Sequence, residues 1–370
     1  VRLVGSEMCI RDRYQPVGCA GDERRFKLYR LAPLSLTEVL PYLSNLGVEV
    51  VDERPYVLEM TGHDQRGYVY DFGLRYGGAV PDPAISRDLF CEAFTAAWAG
   101  RAESDGFDRL VLLAGLGWRA VVVMRAYAKY LRQTGTTFSQ DYIERCLRVN
   151  VPITVTLVEL FRARFDPDAY PEDAAGHAAR LAAGDRLTAK LTALLDGVAS
   201  LDHDRILRAM LGLIRATLRT NAYQHDATGG FKDYVSFKFD PSAVPDLPAP
   251  RPAFEIFVYS PKVEGVHLRF GKVARGGLRW SDRPEDFRTE ILGLVKAQTV
   301  KNAVIVPTGA KGGFVLKRPP APGTDEYRAE GVACYREFIC GLLDLSDNIV
   351  GDAIVPPPQT VRHDSDDPYL

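Results

Sequence analysis

The spacing of apolar residues changes twice along this chain of 370 residues, and that change limits the folds open to it. Strand and helix patterns alternate over residues 26 to 76, helical spacing dominates residues 86 to 223, and strand-like alternation returns from about residue 231. Helices repeat every 3.6 residues and strands every two, so one segment cannot satisfy both patterns. We therefore predict a multidomain α+β or α/β protein in which a small mixed module, a helical connector and a larger α/β domain follow one another.

The first module has the predicted order strand, helix, strand, strand, which is typical of a ferredoxin-like fold. Its strands are predicted at 26–30, 48–51, 56–60 and 67–72. Ser35 and Glu38 form the pattern of a capping box, in which both side chains bind free amides at a helix start. Gly47 ends this helix, and Pro41 is expected to bend it or delay its start.

The connector is predicted to be helical throughout, at 88–98, 121–132, 141–148, 154–164, 178–195 and 204–222. Within it, an apolar run leads to Gly115, Gly117 and Ala120, which mimics a dinucleotide-binding turn. No second strand-helix repeat follows, and no acidic residue ends a second strand at the required distance. We interpret this motif as a turn between packed elements.

Residues 265 to 318 carry the pattern that most indicates chemistry. A strand at 266–270 leads into the turn Ala274-Arg275-Gly276-Gly277-Leu278-Arg279-Trp280. Glycines let a ligand approach the backbone closely, and arginines supply positive charge. The sequence therefore predicts an anion-binding turn.

A helix is predicted after this turn, capped by Ser281 or Asp282, with Pro284 in its first turn. Its apolar stripe is formed by Phe287, Ile291, Leu294 and Val295. The helix is expected to bring Lys296 and Lys301 to its far end.

Two lysines flank the short apolar strand predicted next, with Lys301 before it and Lys311 after it. Lys301 also fits an ordinary role as a cation at a helix C-terminus, which contributes less than ~1 kcal/mol and requires no ligand. Lys311 lies in a predicted loop that Gly309, Gly312 and Gly313 leave with little side-chain cover. A partly desolvated lysine near another cation can have a pKa low enough to act as a base or nucleophile near neutral pH. A Walker phosphate loop is excluded, because no Gly-Lys pair precedes a Ser or Thr at a helix start.

Basic residues are concentrated in this same segment. Residues 272 to 318 hold ten Lys or Arg and four Asp or Glu, although the whole chain has a formal net charge of -2. The near-neutral total gives no general attraction to nucleic acid or membranes, and no apolar run reaches the roughly 18 residues of a spanning helix. Six cysteines without a C-x-x-C pair and six histidines without ligand spacing predict a reduced, cytoplasmic protein without a zinc site.

The two ends of the sequence predict a fragment. The chain begins at Val1, and residues 5 to 13 resemble a translated sequencing adaptor, so we expect residues 1 to 13 to be a non-native segment. The other end, residues 366 to 370, has no closing helix or polar tail. We therefore expect the chain to end inside a domain.

Several motifs together resemble a known family. The turn beginning at Ala274, the triplet Lys301-Asn302-Ala303 and the run Pro307-Thr308-Gly309-Ala310-Lys311-Gly312-Gly313 are similar to the substrate-binding domain of the glutamate dehydrogenase superfamily. The run from Arg279 to Glu290 and the stretch 364 to 370 resemble the large bacterial NAD-specific glutamate dehydrogenases.

This resemblance implies a fold and a reaction. It implies an ACT-like regulatory module at 26–76, a helical connector at 86–223 and an incomplete catalytic substrate-binding domain at 231–370. The complete enzyme would convert L-glutamate to 2-oxoglutarate and ammonia with NAD as cofactor, and it is expected to be a homo-oligomer. The family's catalytic aspartate and its Rossmann domain come after the stretch that ends at Leu370. The chain alone is therefore expected to be inactive and to contain no cofactor-binding residues.

The resemblance also implies roles for single residues. Lys311 matches the catalytic lysine, which promotes attack of water on the iminium and stabilises the carbinolamine. Lys301 matches the lysine that binds the substrate α-carboxylate. Arg275, next to Gly276 in the substrate-binding turn, stands where the family usually has a lysine for the distal carboxylate. Arginine keeps the positive charge and offers a two-point contact.

Other interpretations remain open on the residues alone. Lys311 could form a Schiff base with a carbonyl substrate, which borohydride trapping would reveal, or the basic segment could bind an anionic effector without chemistry. Three aspartates lie near His363, at Asp364, Asp366 and Asp367. They lack the glycine and distal glutamate of a calcium loop, and Pro368 interrupts them, so we expect a solvated or structural loop and no metal.

Overall fold

The chain has two compact units, Val1–Val122 and Val123–Leu370. The computed structural model describes residues 3–4, 8–14, 23–59, 66–78, 82–301 and 308–369. Within these ranges the first unit contains a five-stranded sheet, and the second contains a six-stranded sheet and a two-stranded hairpin.

The first unit is an antiparallel sheet with helices on one face. Its elements are β1 (Leu3–Val4), β2 (Met8–Tyr14), β3 (Glu23–Arg30), α1 (Leu36–Asn45), β4 (Glu49–Glu59), β5 (Arg66–Arg75), α2 (Pro83–Trp98) and α3 (Arg109–Ala114). The strand order is β1-β2-β3-β5-β4. Phe26 of β3 is fully buried and meets Phe90 and Phe94 of α2 edge-on. The predicted order of strand, helix, strand, strand is confirmed.

Two predictions about these strands need correction. The strands predicted at 48–51 and 56–60 are a single strand, β4, which passes through a bulge between Val50 and Asp52. A bulge adds one residue without ending the ladder, so it hides the continuity of a strand in the sequence. Residue 60 lies outside the described residues. Residues 1 to 13, which are expected to be non-native, contribute most of β2, which pairs antiparallel with β3. The non-native origin of this segment stays a prediction.

Helix α1 begins at the predicted place but not by the predicted contact. Ser35 is the N-cap residue, yet its hydroxyl bonds the hydroxyl of Thr37 (2.6 Å) instead of a backbone amide. The capping box is therefore wrong, because a nearer hydroxyl takes the serine side chain. Pro41 lies inside the helix, and Gly47 (φ +87°) follows its end as predicted.

The connector helices lie close to their predicted positions. They are α4 (Trp118–Gln133), α5 (Gln140–Val149), α6 (Val151–Phe165), α7 (Ala174–Leu195) and α8 (Leu201–Ala216). The nucleotide-like motif joins two helices, because Gly115 (φ +65°) is the C-cap of α3, so its interpretation as a simple turn is confirmed. Across the described ranges, no helix combines the length and the apolar character needed to cross a membrane.

The helix predicted at 204–222 extends too far, because the residues that follow Ala216 form a strand. Helix α8 ends at Ala216, and Thr217–Thr220 form β6, which pairs antiparallel with β7 (Val235–Phe239). The Thr217 hydroxyl donates to the carbonyl of Leu213 (2.8 Å) and contacts the hydroxyl of Tyr127 (2.8 Å). Strand pairing outside the helix therefore overrides the helical spacing of these residues.

Six strands of the second unit form a mixed sheet. After β6 and β7 come β8 (Phe254–Tyr259), β9 (Val263–Arg269), β10 (Ala274–Trp280) and β11 (Thr308–Leu316), in the order β10-β11-β9-β8-β7-β6. Only β10 and β11 are parallel, and α9 (Phe287–Lys301) connects them. The chain continues with α10 (Asp325–Leu343) and a hairpin of β12 (Asn348–Val350) and β13 (Ala353–Val355).

Helices α4 and α9 cover one face of this sheet, here called the α9 face. Tyr127 and Tyr130 of α4 stack on Phe237 and Phe239 of β7, each pair with ring centroids 4.4 Å apart. Helix α9 contributes the buried side chains of Phe287, Ile291, Leu292 and Val295. The predicted apolar stripe is confirmed except at Leu294, which is only half-buried.

Helix α9 begins later than predicted. It starts at Phe287, so Pro284 precedes the helix and neither Ser281 nor Asp282 is its N-cap. The Ser281 hydroxyl instead donates to a carboxylate oxygen of Glu290, at 2.5 Å. A carboxylate nine residues further along the chain, in the first turn of α9, therefore binds the hydroxyl that the sequence assigns to the cap.

Helix α10 covers the opposite face, here called the α10 face. Phe338 packs on Phe314 of β11, with ring centroids 5.8 Å apart. A Cβ at Gly265 of β9 would lie 2.6 Å from the Phe338 ring, so glycine is needed for this approach. The core around these rings also contains Ile256, Val258, Val263, Leu316, Cys334, Leu342 and Leu345.

Candidate active site

The predicted anion-binding turn is an edge strand. Ala274–Trp280 form β10, which runs parallel to β11 from the pair Ala274 and Thr308 to the pair Trp280 and Phe314. The predicted glycine loop around Lys311 is part of β11, which pairs with β9 on its other side. Both loop predictions are wrong because glycine weakens a strand but does not prevent one where neighbouring strands supply the hydrogen bonds.

The strand register brings two of the predicted site residues to the α9 face. Lys311 is opposite Gly277, and Arg275 is opposite Gly309, one pleat repeat away. Residues two apart on a strand share a face, so Arg275 and Lys311 project to the same side. Gly277 has no side chain, and the Lys311 Nζ atom lies 3.9 Å from where a Cβ of residue 277 would be. Among the described residues, the lysine amine therefore has open space on the side of Gly277.

The C-terminal turn of α9 lies over the same part of the sheet. Gln298 donates from Nε2 to the backbone carbonyl of Arg275 (2.7 Å), and its side chain lies beside Gly309. Lys301 is the last residue of α9, as predicted. The strand predicted between Lys301 and the Lys311 segment lies outside the described residues. The helix thus brings its last turn, with the backbone of Lys301, to the end of the sheet where Arg275 and Lys311 lie.

The glycines of this segment serve close packing. A Cβ on Gly276 would lie 1.4 Å from the carbonyl oxygen of Ala310. On Gly312 it would lie 2.4 Å from Leu278, and on Gly313 2.3 Å from Ile291 of α9. The expectation that these glycines leave Lys311 in an uncovered loop is therefore wrong. They let β10 and α9 approach β11 closely.

Positive charge at this site is only partly neutralised. Arg279 pairs with Glu290 of α9, with 2.7 Å between Nε and Oε1. Among the described residues, no carboxylate oxygen lies within 4.0 Å of a side-chain nitrogen of Arg275 or Lys311. Arg275 is exposed and Lys311 is half-buried. Two cations on one face without a protein carboxylate favour an anionic ligand.

The α10 face of the same sheet carries a second group of charges. Three basic residues on β6, β7 and β9 are each at most 3% exposed: Arg219, Lys238 and Arg269. Three aspartates from the chain after α10 reach them: Asp347, Asp364 and Asp367. These six residues are called the ion cluster below.

Every cation of the ion cluster has a carboxylate partner. Arg219 donates to Asp364 (2.6 Å) and Asp347 (3.1 Å). Lys238 donates to Asp364 and Asp367, both at 2.6 Å. Arg269 donates to Asp367 and lies over the ring of Phe254. These bonds tie the end of the described chain to three strands.

The aspartates near His363 therefore bind cations of the protein itself. Asp364 and Asp367 belong to the ion cluster, and the more exposed Asp366 pairs with Arg362 (2.7 Å). Of the two expectations for this stretch, the structural loop is confirmed. Within the described ranges, no group of three or more His, Cys, Asp or Glu could hold a metal ion.

Sequence reasoning missed Gln298. The residue lies three positions before Lys301, on the same side of the helix and one turn back, and that spacing was the available signal. The ion cluster was missed for a different reason. Its basic members are separated from its aspartates by about a hundred residues or more along the chain, so no local pattern marks it.

Three family models match the chain in successive parts. Residues 11–86 match "Glutamate dehydrogenase, ACT3 domain", and residues 102–167 match "Glutamate dehydrogenase, helical motif 3". Residues 190–370 match "Bacterial NAD-glutamate dehydrogenase, catalytic domain". The predicted order of ACT-like module, helical segment and catalytic domain is confirmed. Arg275, Lys301 and Lys311 all lie in the catalytic-domain match.

Curated relatives with these parts are much longer than this chain. The chain is 51% identical over 362 residues to the NAD-specific glutamate dehydrogenase of Halomonas elongata, and 51% over 366 residues to that of Pseudomonas aeruginosa. The Mycobacterium tuberculosis enzyme is 50% identical over 352 residues. These matches cover 91 to 96% of this chain but only 21 to 22% of each relative.

Proposed function

Because this chain belongs to the family of bacterial NAD-specific glutamate dehydrogenases, we propose that its residues serve the conversion of L-glutamate to 2-oxoglutarate and ammonia. The observation that carries the proposal is the pairing of Lys311 with Gly277 on a face that also holds Arg275. A dicarboxylic amino acid requires cations for its carboxylates and a base or acid near its amine-bearing carbon. The α9 face offers both kinds of group.

Lys311 is the proposed catalytic residue. Its amine lies next to a glycine rather than a side chain, which leaves room for the reacting carbon and the attacking water. We assign to it proton exchange with the water that adds to the iminium, and stabilisation of the resulting carbinolamine. The sheet ladder on both sides of β11 holds its backbone in place.

Arg275 and Lys301 are the proposed carboxylate ligands. Arg275 would bind the distal carboxylate, and Lys301 at the end of α9 would bind the α-carboxylate. Support comes from Gln298, which joins the last turn of α9 to the Arg275 backbone. Gly276 keeps β10 close enough to β11 for Arg275 and Lys311 to act on one substrate.

NAD would accept the hydride in this reaction. The connection from β10 to α9, residues 281–286, does not fit a dinucleotide-binding turn, since it contains no glycine. The glycines at 115 and 117 lie between two helices rather than after a strand. We therefore assign no described residue to NAD and infer that other residues hold it.

Two further properties belong to this proposal. We propose that the enzyme is a cytoplasmic homo-oligomer, as the family resemblance implies. Light scattering after size-exclusion chromatography of an enzyme of the relatives' length would test the assembly, and a monomer would contradict it.

The proposal is tested by replacing Lys311 in an enzyme of the relatives' length. Lys311→Ala and Lys311→Met should lower kcat for glutamate oxidation by roughly 10²- to 10⁴-fold, the usual contribution of a general acid or base. The measurement is the initial rate of NADH formation, with circular dichroism as a check on folding. Lys262→Ala is the matched control, because Lys262 is exposed in the turn at the opposite end of the sheet. An alanine variant that keeps most of its turnover contradicts the assignment.

A further inference from the structure

The start of α9 is capped by a side chain from the connector. Gln133, the last residue of α4, is 6% exposed. Its Oε1 atom accepts from the backbone amide of Arg288 (3.2 Å). Its Nε2 atom donates to the carbonyls of Pro284 (3.0 Å) and Glu285 (3.2 Å). The first amides of a helix have no partner within the helix, and here a residue more than 150 positions away supplies one.

A buried ion pair fixes the same end of α9 to the sheet. Arg288 donates from Nε and Nη2 to both oxygens of Glu255 on β8, at 2.6 and 2.8 Å. The two side chains are 2% and 0% exposed. A two-point contact of this kind sets direction as well as distance. The first turn of α9 is thus held by α4 on one side and by β8 on the other.

The far end of α9 lies over the candidate site. The helix has 15 residues and is therefore about 22 Å long. Ile291 packs against Gly313 midway, and Gln298 binds the Arg275 carbonyl near the end. A packed helix moves as a rigid element, so its placement at the start governs its placement at the end.

We propose that Gln133 is a positioning residue that sets where α9 begins and thereby where Gln298 and Lys301 lie relative to Arg275 and Lys311. The helical segment that matches residues 102–167 would then complete the geometry of a site in the catalytic-domain match. The inference rests on the proposed function, because its consequence is measured as glutamate turnover. It assigns Gln133 no contact with substrate.

The contact itself is tested on the 370-residue chain by hydrogen exchange. Gln133→Ala and Gln133→Glu should both raise deuterium uptake across Phe287–Lys301 and leave Asp325–Leu343 unchanged. Gln133→Glu keeps the volume and the acceptor but removes the two donated bonds, so it carries the test if the alanine variant does not fold. Arg132→Ala is the matched control, since Arg132 makes only an exposed ion pair with Glu285 (2.8 Å; side chains 35% and 77% exposed).

The consequence is tested by kinetics in an enzyme of the relatives' length. The Gln133 variants should raise KM for glutamate roughly threefold to tenfold, with a smaller change in kcat, while Arg132→Ala stays near wild type. Unchanged uptake across α9 overturns the inference. Raised uptake with unchanged KM and kcat also overturns it, because the contact is then structural only. Retained turnover in the Lys311 variants contradicts the proposed function instead, whatever the exchange data show.

Discussion

The two faces of the six-stranded sheet use the same residue types in opposite ways. On the α10 face, three buried basic residues each bind an aspartate of the chain. On the α9 face, Arg275 and Lys311 have no carboxylate within 4.0 Å among the described residues. The two groups differ in burial, because a fully buried charge must be paired, whereas Arg275 is exposed and Lys311 is half-buried, so solvent or a ligand can reach them. The absence of carboxylate partners among the described residues, rather than charge alone, is the reason for proposing the α9 face as the binding face.

The ion cluster shows what pairing does to its members. Burial alone would raise the pKa of Asp347, but the Asp367 amide and the guanidinium of Arg219 more than offset this and lower it. Burial also opposes ionisation of Asp367, and bonds from Arg269 and Lys238 lower the pKa of that carboxyl. Both aspartates therefore have a pKa below the usual value for a carboxyl group, and the charged form is favoured. The ion cluster therefore has a structural role, in which each cation is paired with a carboxylate of the chain.

Removing one aspartate of the ion cluster is the most direct test of the difference between the two faces. Asp347→Ala removes one of the two carboxylate partners of the buried Arg219 guanidinium and the acceptor of the Asp367 amide. We expect the free energy of unfolding to fall by about 3–5 kcal/mol, as for other broken buried ion pairs. Urea denaturation followed by circular dichroism measures it.

An exposed ion pair provides the control for this prediction. Asp196→Ala removes an ion-pair partner of Arg208 at 3.2 Å. The side chains of Arg208 and Asp196 are 45% and 69% exposed. The cost of this substitution should be no more than about 1 kcal/mol. Equal effects of the two aspartate variants would show that burial does not separate the two kinds of charge.

A buried histidine on the α10 face should make the stability of the protein depend on pH. Burial, with Arg269 nearby, lowers the pKa of His267 to about 4. Between a pH of about 6.5 and about 4 the unfolded chain binds a proton that the folded chain does not, so stability falls as pH falls. This histidine should cost about 2–3 kcal/mol by the end of that range. His267→Asn should flatten the dependence of unfolding free energy on pH, as measured by urea denaturation at several pH values.

A second buried histidine limits how flat that curve becomes. Burial and Arg164 lower the pKa of His363 to about 4 as well, so part of the slope should remain in the single variant. His225→Asn, at an exposed residue, is the control and should leave the slope unchanged. An unchanged slope in the His267 variant would remove this residue from the account.

Two adjacent glycines of β10 allow a test of the space beside Lys311 on the α9 face. Gly276→Ala would place a Cβ against the backbone of Ala310, and we expect a loss of about 1–3 kcal/mol in stability. Among the described residues, the new Cβ of Gly277→Ala would meet the Lys311 amine alone, at 3.9 Å, and the variant should change stability by less than about 1 kcal/mol. In an enzyme of the relatives' length, however, it should lower turnover by filling the space beside the amine. If both variants show the same loss of stability and activity, the open space beside Lys311 has no special role.

The sequence predicted features that depend on neighbouring residues in the chain. The connector helices, the buried stripe of α9 and the turn at Gly47 follow from spacing and from glycine, and the structure confirms them. The structure places Arg275 and Lys311 on one face of the sheet, in strands rather than in the predicted turn and loop, and their roles stay a proposal. The spacing of apolar residues predicts which face of a helix or strand is buried, and it does not require knowledge of the element that packs against that face.

Features that depend on distant residues were missed. Thr217–Thr220 continue a helical pattern but pair with β7 instead. The glycines around Lys311 suggest a loop until β9 and β10 supply a ladder on both sides. The ion cluster and the Gln133 contact join residues that lie 98 to 155 positions apart. Each of these features depends on contacts between residues distant in the chain, and local sequence patterns do not reveal such contacts.

The stacking of α4 on the sheet bears on how this protein can be divided. A protein cut to residues 190–370, the extent of the catalytic-domain match, would lose Tyr127 and Tyr130 and expose the rings of Phe237 and Phe239. Exposed aromatic surface of this kind promotes aggregation. The catalytic-domain match and the region that folds together therefore begin at different residues. Soluble expression of this region should require a start no later than Trp118, the first residue of α4.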